Sequence, residues 1–247
     1  MKKLLLLLIL FLGLQVVVVA QSNNRAPVLT ESTVVRDADG TVYPSSVWRR
    51  LLSTGSYTIK AYRKSAADTV TYVLSRRSDE EKEAMIARLP KPAESTVFKT
   101  GELLKHFKDK DINGEKFDTK KLAGKVIVLN FWFINCPPCR QEIPDLNKLV
   151  DDYKDNKDVV FIAVALDEAY QIEEFIKQQP FNYHIIENGR FLANRFGLHL
   201  YPTNVIVDKD GKIVFSSVSF NFANPRWMKK AIDDALAAEK TKQAASE

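Results

Sequence analysis

An unbroken apolar run, Val126-Ile127-Val128-Leu129, continues through Asn130-Phe131-Trp132 and reaches Cys136-Pro137-Pro138-Cys139 within four residues. Past the second cysteine, Ile143, Leu146, Leu149, Val150 and Tyr153 recur at helical spacing. A buried strand must therefore hand over to an amphipathic helix, and both cysteines of the chain sit at that junction. Cys136 falls at the expected helix N-terminus, where unpaired backbone N–H groups and the helix dipole favour a thiolate over a thiol. Pro137 occupies the first turn, where its missing N–H costs nothing, and Pro138 is tolerated beside it. Cys139 lies one turn in. It is expected to be more buried and to resolve a mixed disulfide begun by Cys136. The small disulfide ring is easily reached by an attacking thiolate if the Cys136 sulfur faces solvent.

Other uses of two such cysteines fit less well. Zinc needs four ligands; no further cysteine exists, and His106, His184 and His199 show no ligand spacing. No metal site is therefore expected. No histidine follows Cys139, so the c-type haem attachment pattern is not met. A purely structural disulfide closing so short a loop would restrict the unfolded chain little. Redox chemistry is the reading that remains best supported, and it uses no cofactor beyond the disulfide itself.

The chain opens like an export signal. Met1-Lys2-Lys3 is basic, Leu4 to Leu14 is apolar, and Val18-Val19-Ala20 supplies small residues for cleavage after Ala20. An uncleaved anchor is the alternative, because the apolar run is nearly long enough to span a membrane. The expected location is periplasmic or secreted. Losing Lys2 and Lys3 takes the formal net charge from +5 to +3. Charges of both signs alternate along the rest of the chain, so no nucleic-acid surface is expected.

A mature chain of about 225 residues suits one large domain or two small ones. Residues 26–92 read as a small α+β domain. Val34 to Tyr43 forms a hairpin turning at Asp39-Gly40, and Ser45-Ser46 caps a helix carrying Val47, Trp48, Leu51 and Leu52. Tyr57–Tyr62 and Thr69–Leu74 alternate like strands, and Ser78-Asp79-Glu80-Glu81 opens a helix running towards Leu89. Pro90-Lys91-Pro92 then breaks the chain. This block contains no cysteine, no histidine and no glycine-rich phosphate loop.

Residues 93–240 read as the second domain. Asn113-Gly114 marks a hairpin ahead of the redox strand. After the long helix, Val159 to Leu166 is a second apolar run, suited to a strand buried on both faces. A helix with Ile172, Phe175 and Ile176, a short strand Tyr183–Ile186 and a short helix ending at Gly197 follow. Tyr201–Asp208 and Lys212–Phe215 form a hairpin around Asp210-Gly211, and Pro225 starts the last helix. Residues 241–247 read as a polar tail. The order calls for parallel strands with right-handed crossovers, then an antiparallel pair, giving an α/β fold with a mixed sheet covered by helices on both faces.

From Phe98 to Ala238 the residues resemble the thioredoxin superfamily, and within it the exported TlpA/ResA-like thiol–disulfide oxidoreductases. The resemblance rests on Asn130-Phe131-Trp132, Cys136-Pro137-Pro138-Cys139, Glu142-Ile143-Pro144, and Tyr201-Pro202-Thr203 before a strand ending Asp208-Lys209-Asp210-Gly211. It implies a thioredoxin fold preceded by the small N-terminal domain. It also implies that Pro202 is a cis-proline beside the dithiol, with the Tyr201 backbone placed to pair with an extended substrate. By composition alone Pro202 would be an ordinary trans proline at a strand start. Glu142 by position alone would merely favour the helix dipole; the resemblance places it near the thiols, where it helps to set their protonation. The familiar thioredoxin has a buried aspartate at the position of Asn130, and asparagine cannot accept a proton, so proton handling falls to Glu142 or water. Ile134-Asn135 departs from the family, which often has an aromatic residue before the first cysteine. Pro144 predicts a kink in the long helix.

The resulting expectation is a protein disulfide reductase that acts on disulfides of exported proteins. Cys136 is the nucleophile, Cys139 resolves, and a thiol donor, for which a membrane protein is a candidate, restores the dithiol. A dithiol oxidase or isomerase would use the same residues. A redox-inactive binding module on the same scaffold is the alternative of a different class. A peroxidase is disfavoured because Phe133 stands where the related peroxide-reducing family needs threonine.

Overall fold

The computed structural model describes residues 28–63, 65 and 69–244. The export signal expected at residues 1–20 lies outside them. Among the described residues no helix is long and apolar enough to cross a membrane.

The N-terminal unit runs β1 (Val35–Arg36), β2 (Val42–Tyr43), α1 (Ser45–Ser53), β3 (Tyr57–Tyr62), β4 (Thr71–Arg76) and α2 (Asp79–Arg88). Its sheet has the order β2-β1-β4-β3, in which only β1 and β4 are parallel. The core is small: Val35, Trp48 and Leu74 form its buried apolar cluster, and Ile86 of α2 is the other buried apolar side chain among the described residues of the unit. α2 starts as the sequence indicates. Ser78 and Glu81 form a reciprocal capping box, which satisfies two backbone donors at once. α1 does not start with a serine cap. Pro44 is its N-cap, and the Pro44 carbonyl accepts from the N–H groups of Val47 and Trp48. The extended proline ends β2 and needs no donor of its own, so Ser45 and Ser46 become helical residues.

The larger unit runs β5 (Lys108–Lys110), β6 (Lys116–Asp118), β7 (Val126–Trp132), α3 (Pro137–Tyr153), β8 (Val159–Ala165), α4 (Ala169–Gln178), β9 (His184–Ile186), α5 (Arg190–Phe196), β10 (Thr203–Val207), β11 (Ile213–Val218) and α6 (Asn224–Ala244). Five strands form one sheet in the order β11-β10-β7-β8-β9. β7, β8 and β9 are parallel, and β10 runs antiparallel to β7 and β11. α6 extends to Ala244, so residues 241–244 are helical rather than part of a loose tail.

Strand alternation divides the core. Val126, Val128 and Trp132 of β7 join Ile143, Leu146 and Leu149 of α3, Ile172 of α4 and Ile232 of α6 on one face. Ile127, Leu129 and Phe131 join Leu192 and Phe196 of α5 on the other, with Phe98, Phe107 and Phe117. Both sheet edges are covered, which removes the hazard of open strand edges. Along β11, Val218 N–H donates to Ala93 O, Ser95 N–H to Ser216 Oγ and Gly101 N–H to Ile213 O. At β9, Ile112 N–H donates to Ile185 O, and His184 Nδ1 lies 3.0 Å from Asp111 Oδ2 and 3.5 Å from Glu115 Oε2. Asp111, Glu115 and His184 thus meet in space although their sequence spacing gives no sign of it. The carboxylates come from the hairpin turn and the imidazole from β9, a pairing that no local spacing reveals. These contacts fasten the hairpin to the sheet.

Candidate active site

The C-terminal end of β7 delivers the dithiol to the start of α3. Cys136 is the helix N-cap, with Pro137 and Pro138 in the first turn. Cys136 and Cys139 form a disulfide with an S–S distance of 2.06 Å. The Cys139 backbone N–H donates to Cys136 Sγ over 3.2 Å. The first sulfur therefore takes the place of a capping oxygen and satisfies one orphan donor of the helix. The same donor would stabilise a thiolate at Cys136 after reduction. In the disulfide, Cys136 is only 3% exposed and Cys139 1%, so the first sulfur does not stand open to solvent. Phe133, Ile134 and Tyr201 pack against the same apolar cluster.

Two strand ends hold the loop before the dithiol. Leu166 N–H donates to Trp132 O, and Ile134 N–H donates to Asp167 Oδ2 over 2.7 Å. The Tyr201–Pro202 peptide is cis, and the Tyr201 ring meets Phe133 edge-on at 5.5 Å. Register brings these parts together: Thr203 pairs with Phe131, and Trp132 with Ala165. Exposed Tyr170, Phe191 and Leu200 leave the sheet at this same end.

Beneath the dithiol lies a buried polar row. Alternation points Asn130 of β7 and Asn204 of β10 to the face covered by α3 and α6, and register sets Asn130, Asn204 and Ser217 side by side on three strands. Glu142 of α3, 2% exposed, sits over this row. Asn130 Nδ2 donates to Glu142 Oε1 at 2.8 Å and to Asn204 Oδ1 at 2.9 Å. Asn204 Nδ2 donates to Glu142 Oε2 at 3.2 Å. Burial pushes the Glu142 carboxyl up to about 8, against the opposing pull of hydrogen bonds from Asn204, Asn130 and Asn224. Glu142 is thus an acid held near the pH at which it can take or give a proton. Burial also holds the Tyr183 phenol well above its ordinary value, with the Glu142 charge adding to the effect.

Cys136, Cys139, Glu142, Tyr201 and Pro202 are thus gathered at one end of the sheet. Sequence reasoning missed Asn204, Asn224 and Asp167. A signal existed for Asn204: like Asn130, it interrupts a run of apolar strand residues, and a polar side chain buried there needs a partner.

A family model described as the AhpC/TSA family matches residues 100–216. Thiol-disulfide oxidoreductase ResA of Bacillus anthracis is 34% identical over 124 residues, covering 49% of this chain and 71% of that protein. Thioredoxin-like protein YneN of Bacillus subtilis is 31% identical over 115 residues, 46% of this chain and 68% of its own. Among solved structures, a Chlorobium tepidum protein described as a thiol:disulfide interchange protein, DsbE, superposes with a TM-score of 0.51 at 26% identity. That match covers 56% of this chain and 99% of the other. With its α/β thioredoxin fold and its cysteine pair, the chain belongs to the AhpC/TSA thioredoxin-like family, as a thiol–disulfide oxidoreductase of the ResA type.

Proposed function

We propose that this enzyme works outside the cytoplasm and reduces disulfides of exported proteins. The observation that carries the assignment of roles is the Cys139 N–H donating to Cys136 Sγ at the N-terminus of α3. It favours Cys136 as the thiolate that attacks. That thiolate attacks one sulfur of a substrate disulfide, the substrate S–S bond breaks, and the other substrate sulfur leaves as a thiolate. Cys139, having lost its proton, attacks Cys136 Sγ and releases the second substrate sulfur. Two electrons pass to the substrate, and the Cys136–Cys139 disulfide remains. Glu142, one turn beyond Cys139, accepts the Cys139 proton in the fraction of molecules whose carboxyl is ionised, a fraction that grows as pH rises towards about 8. A thiol donor, with a membrane protein as one candidate, must supply two electrons to restore the dithiol. No cofactor or metal enters these steps.

The exposed side chains Tyr170, Phe191 and Leu200 around the dithiol end support a polypeptide substrate, and the backbone of Tyr201 beside Pro202 is the strand edge such a segment would pair with. The basic start, apolar stretch and small residues to Ala20 support export. Mixed-disulfide trapping tests the roles. Cys139→Ser incubated with a disulfide-bonded model protein should accumulate a covalent adduct through Cys136, and Cys136→Ser should not. Adducts only in Cys136→Ser would reverse the roles, and adducts in neither would end the reductase reading.

A further inference from the structure

The N-terminal unit lies before the residues of the family match, yet it touches α3, the start of α6 and the loop that leads into α6. That loop, Ser219 to Ala223, joins β11 to α6. Ser219 is left-handed at φ 63°, an uncommon conformation for a non-glycine residue. In it, the Ser219 N–H donates to Pro202 O at 2.8 Å, and the Ser219 carbonyl accepts from Asn224 Nδ2 at 3.2 Å. Asn224 is fully buried beside Glu142, where its side chain favours the charged form of the carboxyl against the effect of burial. One residue's backbone therefore links the cis-proline turn to an amide on the buried acid.

The loop's own apolar side chain rests on the N-terminal unit. The Phe222 ring covers Gly55, just past α1, so closely that a Cβ there would lie 2.6 Å from it. Gly55 is itself left-handed at φ 70°, where only glycine is at ease. Around this contact, Gln141 Nε2 donates to Ser53 O, Arg226 Nη1 donates to Ala87 O at 3.2 Å, and Lys82 Nζ lies 3.9 Å from Asp145 Oδ1. The unit thus grips α3 beside Glu142, the start of α6 beside Asn224, and the loop between them.

We propose that the N-terminal unit is a working part of the dithiol site: Phe222, seated on Gly55, is a positioning residue that holds the Ser219–Asn224 segment so that Asn224 stays on Glu142. The inference rests on the reading of Glu142 as the group that exchanges a proton with the dithiol. The titratable groups facing Glu142 are the Tyr183 phenol ahead of β9 and, when reduced, Cys139 on its own helix; β7, β10 and α6 face it with the neutral amides of Asn130, Asn204 and Asn224.

The test is the reduction potential of the full-length protein measured across pH, where ionisation of a coupled acid bends the plot; the bend that belongs to the Cys136 thiol is assigned from the pH dependence of its alkylation rate. Glu142→Gln should remove the remaining bend. Asn224→Ala should move it upward by roughly one pH unit, the differential worth of one hydrogen bond to the charged form. Phe222→Ala and Gly55→Ala should move it in the same direction. Whether Gly55→Ala displaces the ring or unfolds the unit, the loop is released, so the same shift is expected. Phe222→Ala added to Asn224→Ala should move it no further. A bend that disappears in Glu142→Gln but stays in place in Phe222→Ala and Gly55→Ala overturns the inference alone, as does a fully additive double variant. A bend other than the thiol's that survives Glu142→Gln overturns the role of Glu142 and the inference with it.

Discussion

Glu142 carries both a catalytic expectation and a stability cost. Its carboxyl ionises at about 8 in the fold, against an ordinary value of 4.5. Between those values the folded protein keeps a proton that the unfolded chain has lost. Stability from this group is therefore greatest below about pH 4.5, falls as pH rises towards about 8, and levels off above it. Urea unfolding of the oxidised protein should show a loss on the order of 3–5 kcal/mol between pH 5 and pH 9. Glu142→Gln should lack that decline; an equal decline in both proteins would mean that Glu142 is ionised in the fold at neutral pH. At this scale the sequence was legible where signals were local. Cys136, Cys139 and Glu142 lie within one stretch, and Pro202 stands beside a recognisable strand. Asn204 was not legible as a partner of Glu142, because 62 residues separate them and only the strand register joins them.

Among the elements, α3 shows how a helix accommodates a residue that breaks its hydrogen-bond ladder. Pro144 has no N–H, so the Arg140 carbonyl loses its usual donor. Gln179, the C-cap of α4, fills the gap by donating Nε2 to Arg140 O at 2.7 Å, and the Arg140 guanidinium lies over Phe175 at 5.4 Å. Gln179→Ala should therefore cost about 1 kcal/mol in an otherwise unchanged protein. In a Pro144→Ala background, where the helix regains a backbone N–H to donate to the Arg140 carbonyl, it should cost much less. A double-mutant cycle by thermal unfolding reads this coupling, and strictly additive effects would refute it. The proline itself was visible in sequence and its partner was not. At α2 the capping box was readable because both partners lie within four residues. Ser78→Ala should destabilise the N-terminal unit by about 1 kcal/mol, seen as earlier loss of Trp48 fluorescence changes on denaturation. An unchanged midpoint would show that the cap adds nothing. The start of α1 was misread because a serine after proline looks like a cap, although the proline already holds the extended N-cap geometry.

On the scale of the whole molecule, two cores of unequal depth share one chain. Val35, Trp48 and Leu74 form the buried apolar cluster of the N-terminal unit, whereas both faces of the five-stranded sheet are packed with buried side chains. Contacts between the units are mostly polar, apart from Phe222 on Gly55. Such intrachain interfaces leave units able to open separately. Hydrogen exchange should release the amides of β3 and β4 well before those of β7, β8 and β10. Simultaneous release would show a single cooperative body. The larger fold was legible because two apolar runs, Val126–Trp132 and Val159–Leu166, demand central strands with helices on both sides. The N-terminal sheet was legible as strands but not as an order, since the parallel pairing of β1 with β4 leaves no local mark.

The most direct test of the proposed reductase is the standard potential of the Cys136–Cys139 pair at pH 7, measured in graded thiol–disulfide buffers with alkylation as the readout. A reductant fed by a thiol donor should lie near the thioredoxin value of about −270 mV. A value near about −120 mV, that of a strong oxidant, would contradict reduction as the working direction.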